Sequence, residues 1–424
     1  FDPQDSRPVH FVGIAGAGMS ALAELLARRG IAVTGCDANP NGAGDLERLG
    51  IRVAARHDPA HVTGAQAVVA TSAMPKDHPE LLRARELGIP VIRRAEALAA
   101  AVEVGETICI AGTHGKTTTT VMTTEALTAA GRNPTGVVGG RVAAWGGNLS
   151  RGGDALFVVE ADEYDRSFLA LSPTVATITN VEADHLDIYA DLDDIRGAFA
   201  QFASRARAIV LCADDPGAAS IALPSSAEVI RYGIESRDAR LVARALRDES
   251  GGSTFTAVFD GSEQTDVRLR VPGRHNVLNA LAALGSGRAL GVPLAAMAPG
   301  LAAFGGVERR FQRLGQARGV EVIDDYAHHP TEIRATLAAA RAAYPGRRIV
   351  AAFQPHLYTR TRDFAGDFGG ALATADTIYL TEIYGAREQP IAGVSAALID
   401  GAARDAGRAV TWRGSLDALA AALA

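Results

Sequence analysis

The most constraining feature of this sequence is a glycine loop from Gly112 to Thr117 that reads Gly-Thr-His-Gly-Lys-Thr. An apolar run over residues 107–111 precedes the loop, and a threonine-rich stretch follows it. A strand, a glycine loop, Lys-Thr and a helix, in this order, direct backbone N–H groups and a helix N-terminus at phosphate oxygens. We expect Lys116 to contact the phosphates and Thr117 to place its hydroxyl on Mg²⁺. The loop therefore predicts an ATP-consuming enzyme.

The spacing inside this loop differs from the general phosphate-loop pattern. Two residues separate Gly112 from Gly115, whereas the general pattern has about four. A glycine-rich turn capped by threonine is the structural alternative. Lysine occurs only at Lys76 and Lys116, and all other cations are arginine. A lysine retained at position 116 of so lysine-poor a chain favours the phosphate-binding interpretation.

Length and composition limit the remaining classes. A chain of 424 residues is too long for one ordinary core, so we expect two or three domains. The net charge of -6 is spread without basic or acidic blocks, which argues against nucleic-acid or membrane-surface binding. Apolar runs stay well below the roughly 20 residues of a membrane span. Cys36, Cys109 and Cys212 are odd in number and lie in apolar runs, which is typical of reduced thiols in a cytosolic protein.

Short apolar runs alternate with stretches of helical periodicity along almost the whole chain. This alternation predicts parallel sheets covered by helices, and three α/β domains in series are the simplest division. We place the domains at residues 1–103, 104–304 and 305–424. The first residues carry no initiator Met and no signal-peptide pattern, so we expect a trimmed chain that acts in the cytoplasm.

Carboxylates follow two of the predicted strands. The run at 156–159 ends in Glu160-Ala-Asp-Glu163, and the run at 175–179 ends in a polar segment that contains Asn180 and His185. Ligands of parallel sheets bind at the carboxyl ends of the strands, and Mg²⁺ prefers carboxylate and hydroxyl oxygen. Solvated acidic loops are the alternative. The position of both segments in the phosphate-loop domain favours a metal site.

A second glycine loop follows the first predicted strand. The pattern Gly16-x-Gly18-x-x-Ala21, with Asp37 at the end of the next strand, is similar to a dinucleotide fingerprint. Alone, it would predict an NAD-dependent dehydrogenase. Such a loop holds a pyrophosphate at a helix N-terminus while the acidic residue holds a ribose hydroxyl. A UDP-sugar carries both groups and fits the pattern equally well.

The ordered motifs of this chain resemble those of the Mur ligases, and the resemblance extends from about residue 10 to residue 400. The main matching segments are residues 112–118, 160–163, 180–185, 273–280 and 324–330. Further matching segments are residues 16–19, 71–74, 309–311, 354–363 and 383–388.

The resemblance implies an α/β fold of three domains. These are an N-terminal Rossmann-like domain for UDP, a central P-loop ATPase domain with a mainly parallel sheet, and a C-terminal Rossmann-like α/β domain for the amino acid. The implied reaction is ATP-dependent ligation of L-alanine to the lactoyl carboxylate of UDP-N-acetylmuramate in peptidoglycan synthesis. A recycling ligase that attaches a tripeptide to the same sugar is the related alternative. The resemblance leaves a monomer and a homodimer equally open.

The resemblance also implies roles for individual residues. The implied catalytic residues are Lys116, His185, Arg360, His356 and His328. The implied ATP-binding residues are Gly112, Thr113, His114, Gly115, Lys116, Thr117, Thr118, His275, Asn276, Asn279 and Asp324. The implied substrate-binding residues are Gly16, Gly18, Met19, Asp37, Ser72, Arg309, Arg310, Tyr326 and Arg360. The implied ligands of Mg²⁺, for which two ions are expected, are Thr117, Glu160 and His185.

One family feature is missing. Several Mur ligases carry a carbamylated lysine after the Asp-His motif as a metal bridge, and this sequence has no lysine beyond Lys116. We therefore expect other ligands at the second metal, with Glu163 as a contributor. The sequence also contains no convincing Ser-His-Asp or Cys-His set, so we expect catalysis by positioning and charge stabilisation without an enzyme nucleophile. A non-catalytic nucleotide sensor is the remaining alternative.

Overall fold

The computed structural model describes residues 1–71, 74–249, 251–386 and 388–424. This part of the chain divides into two compact units. Unit 1 comprises Phe1–Leu246, Phe255–Leu269 and Val277–Glu308, and unit 2 comprises Arg247–Thr254, Arg270–Asn276 and Arg309–Ala424. Both glycine loops of the sequence analysis lie in unit 1.

The N-terminal part of unit 1 is a five-stranded sheet with helices between its strands. In chain order its elements are β1 (Val9–Val12), α1 (Ala17–Arg28), β2 (Val33–Cys36), α2 (Gly44–Glu47), β3 (Arg52–Ala54), β4 (Ala67–Ala70), α3 (Pro79–Glu86), β5 (Val91–Arg93) and α4 (Arg94–Val102). The strand order is β3-β2-β1-β4-β5, and every neighbouring pair is parallel. The order reverses between β1 and β4, and open parallel sheets generally bind ligands at the carboxyl ends of the strands where such a reversal occurs.

A larger sheet follows, built around the strand that precedes the phosphate loop. Its elements are β6 (Glu106–Ala111), α5 (Lys116–Ala129), β7 (Thr135–Val142), β8 (Gly147–Ser150), β9 (Leu156–Glu160), β10 (Val175–Ile178), α6 (Leu192–Ala203), β11 (Ala208–Cys212), α7 (Pro216–Ala219), β12 (Glu228–Gly233), β13 (Leu241–Glu249), β14 (Gly252–Phe259), β15 (Glu263–Leu269), α8 (Arg274–Ala289) and α9 (Leu294–Ala303). The strand order is β15-β14-β13-β12-β11-β10-β6-β9-β7-β8. Strand β6 pairs in parallel with β10 on one side and with β9 on the other. The carboxyl ends of β9 and β10 therefore flank the phosphate loop.

One hydrophobic core connects the two sheets of unit 1. The same buried cluster contains Phe11 and Leu22 of the first sheet layer and Phe157 and Phe199 of the second. Continuous burial of this kind stabilises unit 1 by roughly 25 cal/mol for each Å² of apolar surface removed from water. The first sheet is therefore held against the second by packing.

Unit 2 contains a two-stranded antiparallel hairpin and a three-stranded parallel sheet. Its elements are β16 (Gln312–Ala317), β17 (Val320–Asp324), α10 (Pro330–Ala343), β18 (Val350–Phe353), α11 (Tyr358–Leu372), β19 (Thr377–Thr381), α12 (Ala397–Asp405), β20 (Trp412–Gly414) and α13 (Leu416–Leu423). The parallel sheet has the order β18-β19-β20. A separate core around Phe368 and Ile378 packs α11 and α12 on this sheet.

Short 3-10 helices complete the structure at Pro40–Gly42, Pro59–Val62, Ala143–Trp145 and Tyr164–Ala170. Of the helices formed by residues 1–71, 74–249, 251–386 and 388–424, none combines the length and the apolar character that crossing a bilayer requires.

A matched pair of helix glycines tests the packing of unit 1. A Cβ atom at Gly300 of α9 would lie 2.3 Å from the backbone oxygen of Glu125 in α5, whereas a Cβ atom at Gly197 of α6 meets nothing within 4 Å. We expect Gly300→Ala to destabilise the protein by about 1–3 kcal/mol through overpacking. We expect Gly197→Ala to be neutral or stabilising by up to about 1 kcal/mol, since alanine is the better helix former. Thermal unfolding measures both changes, and equal shifts for the two variants would contradict the described packing.

Candidate nucleotide and substrate sites

The phosphate loop joins the end of β6 to the start of α5, and its two glycines have left-handed φ angles. Gly112 has φ +143° and Gly115 has φ +81°. A Cβ atom at Gly112 would lie 2.0 Å from Thr179 Oγ1, and one at Gly115 would lie 2.6 Å from Asn279 Oδ1. Glycine is required at both positions because the backbone conformation and the close neighbours exclude a side chain.

Thr179 and Asn180, which we call the loop clamp, hold the phosphate loop from the end of β10. The backbone N–H of His114 donates to Asn180 Oδ1 at 2.7 Å, and Asn180 Nδ2 donates to the His114 carbonyl at 3.0 Å. Thr179 Oγ1 donates to the same carbonyl at 2.6 Å. The N–H of Thr113 donates to the Asn180 carbonyl at 3.0 Å. The first N–H groups of α5 lack helical acceptors, so the clamped loop presents them as an anion site.

Lys116 is the first residue of α5, and its ammonium group folds back over the loop. Its Nζ donates to the Gly112 carbonyl at 2.7 Å and lies 2.8 Å from Glu163 Oε2. Burial opposes the charge on Lys116, but the nearby carboxylates, Glu163 first, outweigh it and raise the pKa of Lys116. Burial also raises the pKa of Glu163 to about 7, against the opposing effect of the Lys116 charge. The ammonium therefore carries its charge inside the loop.

Thr117 and Glu160 come together at the edge of the sheet, as the sequence predicts for two ligands of one ion. Thr117 Oγ1 donates to Glu160 Oε1 at 2.9 Å. The other carboxylate oxygen accepts from the Gly139 N–H on β7 at 2.6 Å. Hydroxyl and carboxylate oxygens at this separation match the donor preference of Mg²⁺.

His185 lies beside the carboxylate that contacts Lys116. Its Nε2 is 3.7 Å from Glu163 Oε1 and 3.8 Å from Asp184 Oδ2. His185 has φ +53°, and its backbone N–H donates to Asp184 Oδ1 at 2.8 Å. The predicted metal ligands therefore lie next to two consecutive residues of α5. Glu160 contacts Thr117, and Glu163, which has His185 beside it, contacts Lys116.

The first glycine loop follows β1 and is fastened by Asp37. Asp37 Oδ2 accepts from the Ala15 N–H at 3.0 Å, and Oδ1 accepts from the Asn39 N–H at 2.9 Å. Gly16 caps α1 and accepts from the N–H of Met19 at 2.9 Å, while the Met19 side chain is buried in the core. The ribose contact proposed for Asp37 stays a prediction. Gly18, another predicted substrate-binding residue, lies in the first turn of α1. Ser72, also predicted to bind substrate, lies outside the described residues.

In unit 2, the predicted substrate-binding residues Arg309 and Arg310 both lie against the ring of Tyr326. The guanidinium carbon of Arg309 is 4.6 Å from the centre of the Tyr326 ring, and that of Arg310 is 5.7 Å from it. Arg309 Nε lies 3.7 Å from Asp324 Oδ2, and Arg310 Nη1 lies 3.2 Å from Glu332 Oε1. This arrangement presents two cations around one aromatic ring.

The other predicted residues of unit 2 continue from this stack. His328 Nδ1 is 2.8 Å from the Tyr326 carbonyl, and the rings of His328 and His356 are 6.1 Å apart. Arg360 Nη1 is 3.4 Å from His356 Nδ1, and Arg360 is only 6% exposed. The ring of Tyr384 lies 5.7 Å from that of His356. No motif of the sequence predicts a role for Tyr384. The only signal for Tyr384 was its place in the matching segment 383–388.

The predicted ATP-binding residues His275, Asn276 and Asn279 belong to different units. Asn279 belongs to unit 1 and accepts from Thr119 Oγ1 at 3.1 Å. His275 and Asn276 belong to unit 2, where Asn276 Nδ2 donates to the Pro272 carbonyl at 2.8 Å. Burial lowers the pKa of His275 to about 4, so this imidazole is neutral at physiological pH.

Three family models match the chain in the order of the predicted domains. The Mur ligase family, catalytic domain, matches residues 8–104; the Mur ligase middle domain matches residues 110–287; and the Mur ligase, glutamate ligase domain, matches residues 309–424.

Curated relatives match almost the whole chain. The UDP-N-acetylmuramate–L-alanine ligase of Acidothermus cellulolyticus is 46% identical over 418 residues, which cover 97% of this chain and 87% of the relative. The enzyme of the same name from Acidithiobacillus ferrooxidans is 47% identical over 399 residues, which cover 92% of this chain and 86% of the relative.

Solved structures agree with the sequence relatives. UDP-N-acetylmuramate-alanine ligase MurC of Thermotoga maritima has a TM-score of 0.82 at 30% identity, with 97% of this chain and 91% of that chain covered. A murein peptide ligase of Psychrobacter arcticus has a TM-score of 0.75 at 25% identity, with 99% and 93% covered. The predicted family and the predicted three-domain α/β fold are therefore confirmed, and this chain belongs to the Mur ligase family.

Proposed function

We propose that this enzyme uses ATP to join L-alanine to the lactoyl carboxylate of UDP-N-acetylmuramate, which gives UDP-N-acetylmuramoyl-L-alanine, ADP and phosphate. The observation that carries the proposal is the near-full-length match to relatives named for this ligation, at 46% identity over 97% of the chain. The clamped phosphate loop supports the use of ATP. The nucleotide substrates favour action in the cytoplasm, and we propose domains at residues 1–103, 104–304 and 305–424.

The proposed chemistry needs an activated carboxylate, because oxide is too poor a leaving group for direct attack by an amine. The γ-phosphoryl group of ATP passes to the lactoyl carboxylate and forms an acyl phosphate. The amine of alanine attacks the acyl carbon, the C–N bond forms, and phosphate leaves. The protein holds the reactants in position and stabilises the developing negative charge, so an enzyme nucleophile is unnecessary.

Lys116 and the first N–H groups of α5 are proposed to bind the ATP phosphates. Thr117 and Glu160 are proposed as ligands of one Mg²⁺, and His185 with Glu163 as ligands of a second. The residues fit hard cations because the 2.9 Å contact between Thr117 and Glu160 already pairs a hydroxyl with a carboxylate. Bound Mg²⁺ would neutralise charge on the transferred phosphoryl group.

The remaining roles concern the UDP-sugar and the amino acid. We propose that the Gly16 loop and Asp37 bind the pyrophosphate and ribose of UDP, since a helix N-terminus and a carboxylate suit these groups. In unit 2 we propose that Arg360 binds the alanine carboxylate through two parallel hydrogen bonds. His356, whose ring nitrogen lies 3.4 Å from Arg360, and His328 are candidates for accepting the ammonium proton.

An ADP-release assay tests the reaction directly. The full chain is incubated with ATP, Mg²⁺ and UDP-N-acetylmuramate, together with L-alanine, L-serine, glycine or the peptidoglycan tripeptide. We expect ADP release to require both the UDP-sugar and an amino acid, with L-alanine preferred. Preference for the tripeptide would favour the recycling ligase, and release that ignores the UDP-sugar would contradict the proposal.

Lys116→Ala removes the cation from the phosphate loop. We expect kcat to fall by about 10²–10³, the size of effect seen when a charge-stabilising group is removed from an active site. UDP-sugar binding, measured by calorimetry, should be retained, because the UDP-sugar is proposed to bind at the Gly16 loop of the first domain and Lys116 lies in the second. Loss of both catalysis and UDP-sugar binding would contradict this assignment of Lys116, and a lowered melting temperature would identify misfolding as the cause.

Glu160→Gln tests the first metal ligand, and Glu106→Gln is its matched control. Glutamine at 160 can still accept hydrogen bonds, yet it lacks the charge that Mg²⁺ requires. We expect the Mg²⁺ concentration for half-maximal activity to rise at least about tenfold, because interactions with charged groups contribute about 1.5–3 kcal/mol and about 1.4 kcal/mol corresponds to a tenfold change. Glu106 lies at the opposite end of β6 and pairs with Arg207 at 3.2 Å, so its variant should match the wild type. An unchanged Mg²⁺ requirement in Glu160→Gln would remove Glu160 from the metal site.

Arg360→Ala tests amino-acid binding, and Arg362→Ala on the same helix is its matched control. Arg360 is 6% exposed, whereas Arg362 is exposed and pairs with Asp363. Hydrogen bonds to charged groups contribute about 1.5–3 kcal/mol, so we expect the KM for L-alanine to rise roughly 10–150-fold in Arg360→Ala. The KM values for ATP and UDP-sugar should change little, and Arg362→Ala should behave as the wild type. Equal effects on all three KM values would contradict a specific contact with alanine.

A further inference from the structure

Six metal-ligating side chains converge in the N-terminal sheet of unit 1, apart from the residues proposed for catalysis. They come from separate elements: β1, the end of β2, the segment after β3, the 3-10 helix Pro59–Val62, and the start of α3. We call them the histidine cluster. Its members are His10, Cys36, His57, His61, His78 and Glu80.

Glu80 is the centre of the cluster and is completely buried. Its Oε1 lies 2.9 Å from His61 Nδ1, 3.1 Å from Cys36 Sγ and 3.8 Å from His10 Nε2. Within the described part of the chain, its ion-pair contacts are all with histidines, and neither Lys nor Arg reaches it. A carboxylate without solvent is costly unless a cation compensates it. The Asp58 N–H and the Cys36 thiol also donate to Oε1, at 3.2 and 3.1 Å, and a bound cation would balance the remaining negative charge.

The ligand atoms of four of the six side chains lie close enough together to share one ion. One ligand atom from each of His10, Cys36, His61 and Glu80 lies within 4.8 Å of all the others. Zinc bonds of about 2.0–2.3 Å in a tetrahedron place neighbouring ligand atoms roughly 3.3–3.8 Å apart. Imidazole nitrogen, thiolate sulfur and carboxylate oxygen together favour Zn²⁺ over Mg²⁺ or Ca²⁺.

The orientation of His10 gives an independent indication of a ligand. Its Nδ1 lies 3.0 Å from Thr34 Oγ1, and its buried Nε2 has no hydrogen-bond partner among the described residues. Metal-binding histidines generally use one ring nitrogen to hold the ring and turn the other towards the ion. His10 is only 2% exposed, so water is a poor alternative partner for Nε2.

The two other histidines surround the second oxygen of Glu80. His57 Nδ1 is 3.1 Å from Glu80 Oε2, and His78 Nδ1 is 3.9 Å from the same atom. The rings of His57 and His78 meet edge to face at 4.7 Å. These residues are placed to orient the carboxylate as an outer layer, as second-layer partners do in metal sites.

We propose that His10, Cys36, His61 and Glu80 form a structural binding site for one Zn²⁺ ion in the N-terminal domain. Binding releases the thiol proton of Cys36 to solvent, and the resulting thiolate and the Glu80 carboxylate balance the charge of the ion. The Cys36 carbonyl accepts from the N–H groups of Gly13 and Ile14 at 2.8 and 3.1 Å. The ion therefore fixes the end of β2 against the first glycine loop. A proton-sharing network without metal is the competing interpretation.

Metal content and cobalt spectroscopy on the full chain test the site. The chain is freed of metal with a chelator, dialysed against Zn²⁺, and its metal is counted by mass spectrometry; Co²⁺ then replaces zinc. We expect one tightly bound ion per chain and a thiolate-to-cobalt charge-transfer band. Cys36→Ser should abolish that band, and Cys212→Ser, which alters a buried thiol of another sheet, should leave it intact.

Graded variants locate the ion. His61→Ala should lower zinc affinity at least about 100-fold, and Thr34→Val, which affects only the support of His10, about 10–100-fold. Wild-type protein that binds no Zn²⁺ or Co²⁺ would overturn the proposal in favour of the proton-sharing network. Zinc retained in His61→Ala and Cys36→Ser but lost in Glu160→Gln would overturn it as well, because the ion would then belong to the proposed Mg²⁺ site. The cobalt spectrum of the wild type decides the question even if a variant fails to fold.

Discussion

The hydrogen bonds of the loop clamp are the constraint on which the central site depends. Asn180 exchanges two hydrogen bonds with the backbone of His114, and Thr179 adds a third. Each such bond contributes only about 1 kcal/mol to stability, yet together they fix the middle of the loop, at His114, between two flexible glycines. Backbone N–H groups bind phosphate well only when their directions are set in advance. The clamp achieves this because β10 lies directly beside β6.

The sequence predicts this part of the molecule well because its determinants are local. A buried strand, a glycine loop and Lys116-Thr117 at a helix start follow one another along the chain, and their physical meaning needs no distant contact. The meeting of Thr117 with Glu160 is also predictable, because carboxyl ends of parallel strands share an edge. The pairing of Lys116 with Glu163, in contrast, depends on side-chain geometry that a linear pattern does not contain.

Other features could not be predicted from the sequence, because they depend on which partners the side chains take in the fold. The polar segment that begins at Asn180 predicts a metal site, whereas the structure uses the Asn180 side chain to hold the loop. An amide in a polar segment does not indicate which partner it will bind. Strand β3 has three residues with exposed or half-buried side chains, too few to show periodicity. The histidine cluster combines residues from positions 10 to 80 without motif spacing. The parallel order β3-β2-β1-β4 and the packing of α3 on the 3-10 helix Pro59–Val62 bring them together.

Gly18 illustrates how one residue type can satisfy two demands. Gly18 belongs to the dinucleotide-like pattern and is predicted to bind substrate. A Cβ atom there would lie 2.9 Å from Arg94 Nη1, and Arg94 Nη2 lies 3.9 Å from Asp162 Oδ2, in the segment that also carries Glu160. The missing side chain thus makes room for Arg94, which extends from the start of α4 towards the carboxyl end of β9. Because Nη1 is the end of a flexible side chain, Arg94 can move aside for a small side chain at position 18, so glycine is less strictly required here than at Gly112, whose φ of +143° excludes other residues.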